Sequence, residues 1–121
     1  MNDHSKPNIL FIMCDQLRWD YLSCSGHPTL QTPNIDALAT RGVRFTRAYC
    51  QAALCGPSRA SFYTGRYMST HGSMANDDPL RADELTIGDY LDEAGYRTAL
   101  VGKTHTKVSP PGLQRLGVDP D

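Results

Sequence analysis

CGPSRASFYTGR, residues 55–66, is the stretch of sequence that says most about the fold. It predicts a helix that is entered at Cys55 and runs from Pro57 to Thr64, because proline is tolerated in the first helical turn. Gly65 then supplies the stop. The free N–H groups and positive dipole at a helix N-terminus favour an anion beside Cys55. Arg59 lies four residues further on, on the same face, so its guanidinium can reach back towards Cys55.

Outward from this helix, apolar runs alternate with helical patterns. Thr32 is a good cap for a helix that Gly42 ends, and Thr86 with Asp89 forms a capping pattern for a helix that Gly95 stops. Buried strands are predicted for residues 8–15, 43–49 and 96–101. The alternation predicts an α/β fold with a mostly parallel sheet flanked by helices. Only about three strands are visible where a sheet usually has about five or six, which indicates the first portion of a larger domain.

Composition excludes several function classes. The chain has 121 residues, 40% of them hydrophobic and 21% charged, with a net charge of -1, which is typical of a globular protein that binds neither nucleic acid nor a membrane surface. The longest apolar run, residues 9–14, is too short to span a bilayer. The N-terminus lacks the pattern of a secretion signal, so we expect a cytoplasmic protein with reduced thiols.

The 55–66 stretch resembles the signature of the sulfatase family, C-x-P-S-R followed by a short helix and Thr-Gly-Arg. Sulfatases belong to the alkaline-phosphatase-like superfamily, and the resemblance extends from residue 8 to about residue 105. It implies that residues 1–121 are the N-terminal part of a single sulfatase catalytic domain. It also implies that a maturation enzyme oxidises Cys55 to formylglycine (3-oxoalanine), with Pro57 and Arg59 completing the recognition core. The hydrated formylglycine would attack the sulfur of a small-molecule sulfate ester.

Asp15 and Gln16 are candidate metal ligands. Asp15 follows the first predicted strand, where ligands bind in open α/β sheets, and its carboxylate suits Ca²⁺, Mg²⁺ or Mn²⁺. A turn-forming aspartate is the alternative, and the resemblance favours a metal ligand, with the modified Cys55 as a further ligand of the same ion. Many sulfatases have a second Asp where this chain has Gln16, which offers a carbonyl oxygen. Asp-Gln-x-Arg resembles the branch of choline sulfatases and phosphonate monoester hydrolases. Oxygen ligands favour Ca²⁺, with Mn²⁺ or Mg²⁺ as alternatives.

Lys103, His105 and Asn76 complete the candidate site. Lys103 and His105 are two residues apart after a predicted strand, so on an extended segment they project from the same side. Sulfatases carry a similar Gly-Lys-x-His, which implies that Lys103 binds the sulfate and His105 serves the nucleophile's hydroxyl. The alternative is a solvated turn. Asn76 lies where choline sulfatases place a substrate-contacting asparagine, although loop asparagines often only form turns.

The sequence is compatible with three functions. The first is a sulfuric ester hydrolase, which Lys103 and His105 favour. The second is a phosphonate monoester or phosphodiester hydrolase with the same formylglycine apparatus, and the third is an inactive fragment that retains the signature. The later metal-binding and leaving-group residues of sulfatases do not occur within the 121 residues, and one carboxylate holds a hard cation poorly. We therefore expect the isolated chain to be inactive.

Overall fold

The computed structural model of the protein describes residues 6–105, and these form two compact units that meet in sequence between Arg47 and Ala48. Helices are the only regular elements among the described residues. They are a 3-10 helix at Ser23–Ser25 and the α-helices α1 (Pro33–Arg41), α2 (Cys55–Thr64), α3 (Met68–His71) and α4 (Ile87–Glu93). None of these helices has the length and apolarity needed to cross a membrane.

The three predicted strands are absent from the described residues. Residues 8–14, 43–49 and 96–101 have no helix or strand structure, and Leu10, Val43 and Val101 are 85%, 80% and 93% exposed. A strand exists only where a neighbouring strand satisfies its backbone N–H and C=O groups, and a buried strand also needs cover on its faces. Residues 6–105 supply neither a neighbouring strand nor cover for the faces of these segments. The prediction of a mostly parallel sheet is therefore not met within this part of the chain.

Helix α1 in the first unit has the predicted bounds, with Thr32 before its first residue and Gly42 after its last. An unpredicted polar network around Asp36 joins its first turn to the 3-10 helix. The Asp36 carboxylate accepts hydrogen bonds from the Ser23 hydroxyl (2.5 Å), the Cys24 backbone N–H (2.9 Å) and the Thr32 hydroxyl (3.0 Å). Donation from Ser23, followed by that from Thr32 and Cys24, holds the pKa of Asp36 below its ordinary value.

Helix α2 is the centre of the second unit and packs against α3 and α4. It begins at Cys55 and ends at Thr64, and Gly65 follows with a φ of 67°, so the predicted start and stop are confirmed. Its buried residues include both apolar and polar side chains: Pro57, Arg59, Ala60, Ser61 and Tyr63. Because polar groups are buried here, this core depends on satisfied hydrogen bonds as well as on apolar packing.

Helix α4 starts as predicted and ends slightly earlier. The Asp89 carboxylate accepts a hydrogen bond from the Thr86 backbone N–H at 2.7 Å, and the Thr86 side chain accepts one from the Asp89 backbone N–H, so the predicted capping box is present. The helix ends at Glu93, and Ala94 is already its C-cap, ahead of the left-handed Gly95. The segment between α2 and α4 contains the single helical turn α3.

Candidate active site

Cys55 is the first residue of α2, and its side chain is half-buried. Leu54, the N-cap, has an extended backbone and provides no side-chain cap, while its carbonyl accepts the first helical hydrogen bond, from Ser58 N–H at 3.0 Å. Pro57 is fully buried in the first turn, where a proline costs no hydrogen bond. The sequence prediction that position 55 opens a helix is therefore confirmed.

Asn76 lies directly against this helix start. Its side-chain Oδ1 accepts a hydrogen bond from the Gly56 backbone N–H at 2.9 Å, across 20 residues of sequence. A Cβ atom on Gly56 would lie 3.1 Å from that oxygen, 3.2 Å from the Asn76 Cα and 3.3 Å from the His105 carbonyl oxygen. The sequence proposed Asn76 as a substrate contact. In the structure it caps α2 from a distant loop, next to the candidate nucleophile.

Arg59 joins α2 to the segment that carries Lys103. Its guanidinium Nη1 donates to the Lys103 backbone oxygen at 2.5 Å, and the side chain is 6% exposed. A buried guanidinium brings a permanent positive charge to this helix, one turn beyond Cys55. The same bond holds the chain at Lys103 against α2 and leaves the Lys103 residue exposed to solvent.

His105 also lies beside the start of α2. It is half-buried, and its Nδ1 atom is buried without a hydrogen-bond partner among residues 6–105. No strand is assigned at Lys103 and His105 within the described residues, and Gly102 and His105 have φ values of 102° and 49°, so the backbone turns at both positions. The placement of the Lys103 and His105 side chains on one side of this segment stays a prediction.

Asp15 and Gln16 belong to the first unit, where both are exposed. Gln16 has a φ of 54°, in the left-handed region, so the backbone turns sharply directly after Asp15. Within residues 6–105, no group of three or more His, Cys, Asp and Glu side chains is placed to hold a metal ion. The chemistry of the two oxygen donors suits a hard divalent cation, but they fall short of the six or more ligands that such an ion takes.

A buried cluster behind α2 was missed by the sequence analysis, which gave His71 no role. His71 is 1% exposed, and its Nε2 lies 2.8 Å from the Ser61 hydroxyl oxygen of α2. Glu84 is 8% exposed and forms an ion pair with Arg66 at 2.9 Å. Nothing in the sequence pattern marks His71 as buried, because it lies in a four-residue helix too short to show periodicity.

The family described as Sulfatase matches residues 7–113. The chain is 38% identical over 113 residues to N-acetylglucosamine-6-O-sulfatase of Bacteroides thetaiotaomicron, a match that covers 93% of this chain and 20% of that protein. It is 40% identical over 116 residues to human steryl-sulfatase, covering 87% of this chain and 20% of the relative. The chain thus spans about a fifth of the length of these relatives.

Two solved structures are similar to the described backbone. One is the phosphonate monoester hydrolase of Agrobacterium radiobacter, with a TM-score of 0.82 and 40% identity, covering 95% of this chain and 24% of that one. The other was solved in complex with its substrate D-glucosamine-2-N,6-O-disulfate, with a TM-score of 0.72 and 40% identity over 77% of this chain and 19% of that one. The matched residues therefore have the backbone fold of about a quarter and about a fifth, respectively, of these two chains.

Proposed function

Because the chain belongs to the sulfatase family, we propose that the full-length protein hydrolyses a sulfate monoester, with Cys55 as the nucleophile after its oxidation to formylglycine. The observation that carries this proposal is the arrangement around the first turn of α2. Asn76 bonds Gly56, Arg59 bonds the backbone of Lys103, and the His105 carbonyl lies against Gly56. Three separate segments of the second unit thus meet next to position 55.

The proposed chemistry uses the positive character of this helix start. A sulfate ester carries its negative charge on the oxygens around sulfur, so attack requires cationic groups close by. The positive end of the α2 helix dipole, the buried Arg59 guanidinium and the solvent-accessible Lys103 ammonium supply that character. We assign Lys103 to the sulfate group, since an exposed ammonium can pair with the anionic oxygens of the ester.

Turnover then proceeds in two steps at position 55. One hydroxyl of the hydrated aldehyde loses its proton and attacks sulfur, the S–O bond to the alcohol breaks, and the departing oxygen takes up a proton to leave as the alcohol. His105, the proposed base, next takes the proton of the second hydroxyl, so that the hemiacetal collapses to the aldehyde and sulfate leaves. The His105 Nδ1, which lacks a partner among the described residues, agrees with a ring held for proton transfer rather than for structure. A cysteine thiolate has no second hydroxyl, so this route requires the oxidation.

A divalent metal ion and a partner enzyme belong to the proposal. Asp15 and Gln16 would supply oxygen ligands, and we propose Ca²⁺ because hard oxygen donors suit it. Such an ion supplies charge stabilisation when bound. A formylglycine-generating enzyme would have to act on the segment around Cys55.

We also propose that residues 8–15, 43–49 and 96–101 become strands of one mostly parallel sheet in the full-length protein, where further strands can cover them.

The similarity to a phosphonate monoester hydrolase supports a second candidate function, cleavage of phosphonate monoesters or phosphodiesters by the same apparatus. The sequence Gly102-Lys103-Thr104-His105 favours sulfate as the substrate. By the resemblance, phosphonate monoester hydrolases have uncharged, hydroxyl-bearing residues at these positions instead. A dedicated lysine and histidine therefore point to the sulfate ester as the better substrate.

The experiment compares an aryl sulfate with an aryl phosphonate monoester as substrates of the full-length protein from its natural host. Mass spectrometry of the peptide that contains Cys55 is expected to show the aldehyde, and kcat/KM is expected to be higher for the sulfate. Cys55→Ala should abolish turnover, whereas Cys50→Ala, at an exposed cysteine, should retain it. An unmodified thiol together with full activity, or turnover by the Cys55→Ala variant, would refute the proposal.

A further inference from the structure

His71 has both ring nitrogens occupied in the interior of the second unit. The Ser73 backbone N–H donates to His71 Nδ1 at 3.2 Å. A nitrogen that accepts a hydrogen bond carries no proton, so the ring proton of the neutral histidine lies on Nε2. Nε2 is 2.8 Å from Ser61 Oγ and therefore donates to it. The geometry fixes the tautomer of His71 and connects α3 to α2 through one directed hydrogen bond.

Ser61 lies on the far side of α2 from the groups proposed for chemistry. Each residue of an α-helix turns by about 100°, so Ser61, two residues after Arg59, is rotated by about 200° from it. Arg59 is tied to the backbone of Lys103 on one face, and Ser61 is tied to His71 on the other. The helix that begins at Cys55 is thus held from two opposite sides.

The surroundings keep His71 neutral. The ring is 1% exposed, and desolvation lowers its pKa from the ordinary value, with Glu84 acting in the opposite direction by its charge. Glu84 is itself paired with Arg66 at 2.9 Å. The neighbouring Ser73 hydroxyl donates to the Asp78 backbone oxygen at 3.0 Å, so this part of the cluster is also satisfied. A neutral ring with two occupied nitrogens is suited to holding a structure rather than to exchanging protons with a substrate.

We propose that His71 is a positioning residue for Cys55: its Nε2–H bond to Ser61 fixes the rotation of α2 and thereby the placement of Cys55 and Arg59 at the reacting ester. His71 does not touch the substrate. The inference rests on the proposed function, because it assigns His71 to the same reaction. A small rotation of α2 would move Arg59 and position 55 together, and misplacement of about 1 Å can lower a rate about a hundredfold.

The kinetic test uses the full-length protein, with kcat expressed per formylglycine counted by mass spectrometry. We expect Ser61→Ala and His71→Leu each to lower kcat by about tenfold or more, with KM changed less than about twofold, since the lost bond orients the nucleophile rather than the substrate. His71→Gln, which keeps an N–H donor, should recover part of the loss. The double variant should be no slower than the slower single variant. Ser69→Ala, at an exposed position of α3, is the matched control.

Two results would overturn the inference: Ser61→Ala with the kcat of the parent, or a loss confined to KM. Should His71→Leu fail to fold, Ser61→Ala alone carries the kinetic test.

An inactive parent protein would instead refute the proposed function. In that case the positioning role is tested by the alkylation rate of Cys55 in the unoxidised protein. There, alkylation of the half-buried Cys55 should be at least about threefold faster in Ser61→Ala, because looser helices open more often. The exposed Cys14 and Cys50 should react at unchanged rates, and an unchanged Cys55 rate would overturn the inference.

Discussion

Asn76 Oδ1 lies 2.9 Å from the backbone nitrogen of Gly56, and it is the side-chain acceptor that the N-cap Leu54 does not provide. Helix N-termini leave N–H groups without intrahelical partners, and a side-chain oxygen that accepts from one of them stabilises the helix. Here that oxygen comes from a loop 20 residues away. The stability of α2 and the local position of Cys55 therefore depend on the same contact.

Removing this cap should destabilise the second unit. We expect Asn76→Ala to lower the free energy of unfolding by about 1 kcal/mol, because the Gly56 N–H loses its acceptor. Asn76→Asp retains an oxygen and should lose less stability, since a carboxylate also interacts favourably with the helix N-terminus. Turnover should fall in both variants, because Asn76→Ala removes the contact that holds the helix start beside Cys55 and the new carboxylate of Asn76→Asp repels the anionic substrate. Denaturant unfolding and kcat measured in parallel separate the two effects, and equal stability of Asn76→Ala and the parent would contradict the capping role.

Gly56 should accept no larger residue. A Cβ atom there would be 3.1 Å from Asn76 Oδ1, 3.2 Å from the Asn76 Cα and 3.3 Å from the His105 carbonyl oxygen. Gly56→Ala is therefore expected to lower the melting temperature through a destabilisation of about 1–3 kcal/mol, despite the better helix propensity of alanine. Calorimetry of the full-length protein measures it, with Ser69→Ala as the control. A stabilised Gly56→Ala variant would show that the backbone at Asn76 and His105 moves to make room for the added Cβ atom.

Stability should depend on pH through His71. Its pKa in the folded protein is below the ordinary value of 6.5, so the unfolded state binds the proton more readily. The stabilisation is complete above about pH 6.5 and is lost as the pH falls through that value towards the folded pKa. We expect the free energy of unfolding to decline below pH 6.5 with a slope of at most about 1.4 kcal/mol per pH unit from this group. His71→Gln should show a smaller decline in urea titrations at pH 5 to 8, and an identical decline would contradict the assignment.

Two ion pairs of the second unit provide a matched comparison. Arg66 pairs at 2.9 Å with Glu84, whose side chain is 8% exposed, whereas Arg81 pairs at 2.7 Å with Asp83, and both of these side chains are about 70% exposed. We expect Arg66→Ala to destabilise the protein by about 1–2 kcal/mol, since a buried carboxylate loses a cation. Arg81→Ala should change stability by less than about 0.5 kcal/mol, because an exposed pair is screened by water. Equal effects would indicate that the burial of Glu84 does not matter.

Arg59 should not tolerate exchange for lysine. Its Nη1 bonds the Lys103 backbone from a buried position, and a lysine lacks the planar donor pattern that reaches a carbonyl and the site together. We expect Arg59→Lys to lower kcat/KM by about tenfold or more in the full-length protein. Arg81→Lys at an exposed position is the control. Retained activity in Arg59→Lys would mean that a positive charge alone suffices at this position.

The helices could be predicted from the sequence because their boundaries are set locally. Thr86 and Asp89 cap α4 within one turn, and Gly65 ends α2 through its own backbone conformation. The sheet could not be verified in the same way. Residues 8–15 carry the apolar character of a buried strand, but strand structure requires a partner segment, and no such segment lies among residues 6–105.

The candidate site shows the same division between local and distant effects. Cys55 and Arg59 could be identified because both lie within one short motif on one helix. The cap from Asn76 to Gly56 joins residues 20 apart, and the bond from Arg59 to Lys103 joins residues 44 apart. Contacts of that kind depend on tertiary packing, which periodicity and capping rules do not describe. His71 was overlooked for this reason: only its packing against α2 makes it informative.

The contact between three chain segments at Gly56 limits which substitutions this protein can accept during evolution. A substitution that enlarges position 56 collides with Asn76 and with the carbonyl of His105, so it requires a simultaneous shift of both loops. Variation at these three positions should therefore be correlated among related proteins, and engineered libraries that randomise Asn76 alone should contain mostly members of reduced stability. Libraries that vary the loops around Asn76 and His105 together, with glycine kept at position 56, are the better route to new substrate preferences.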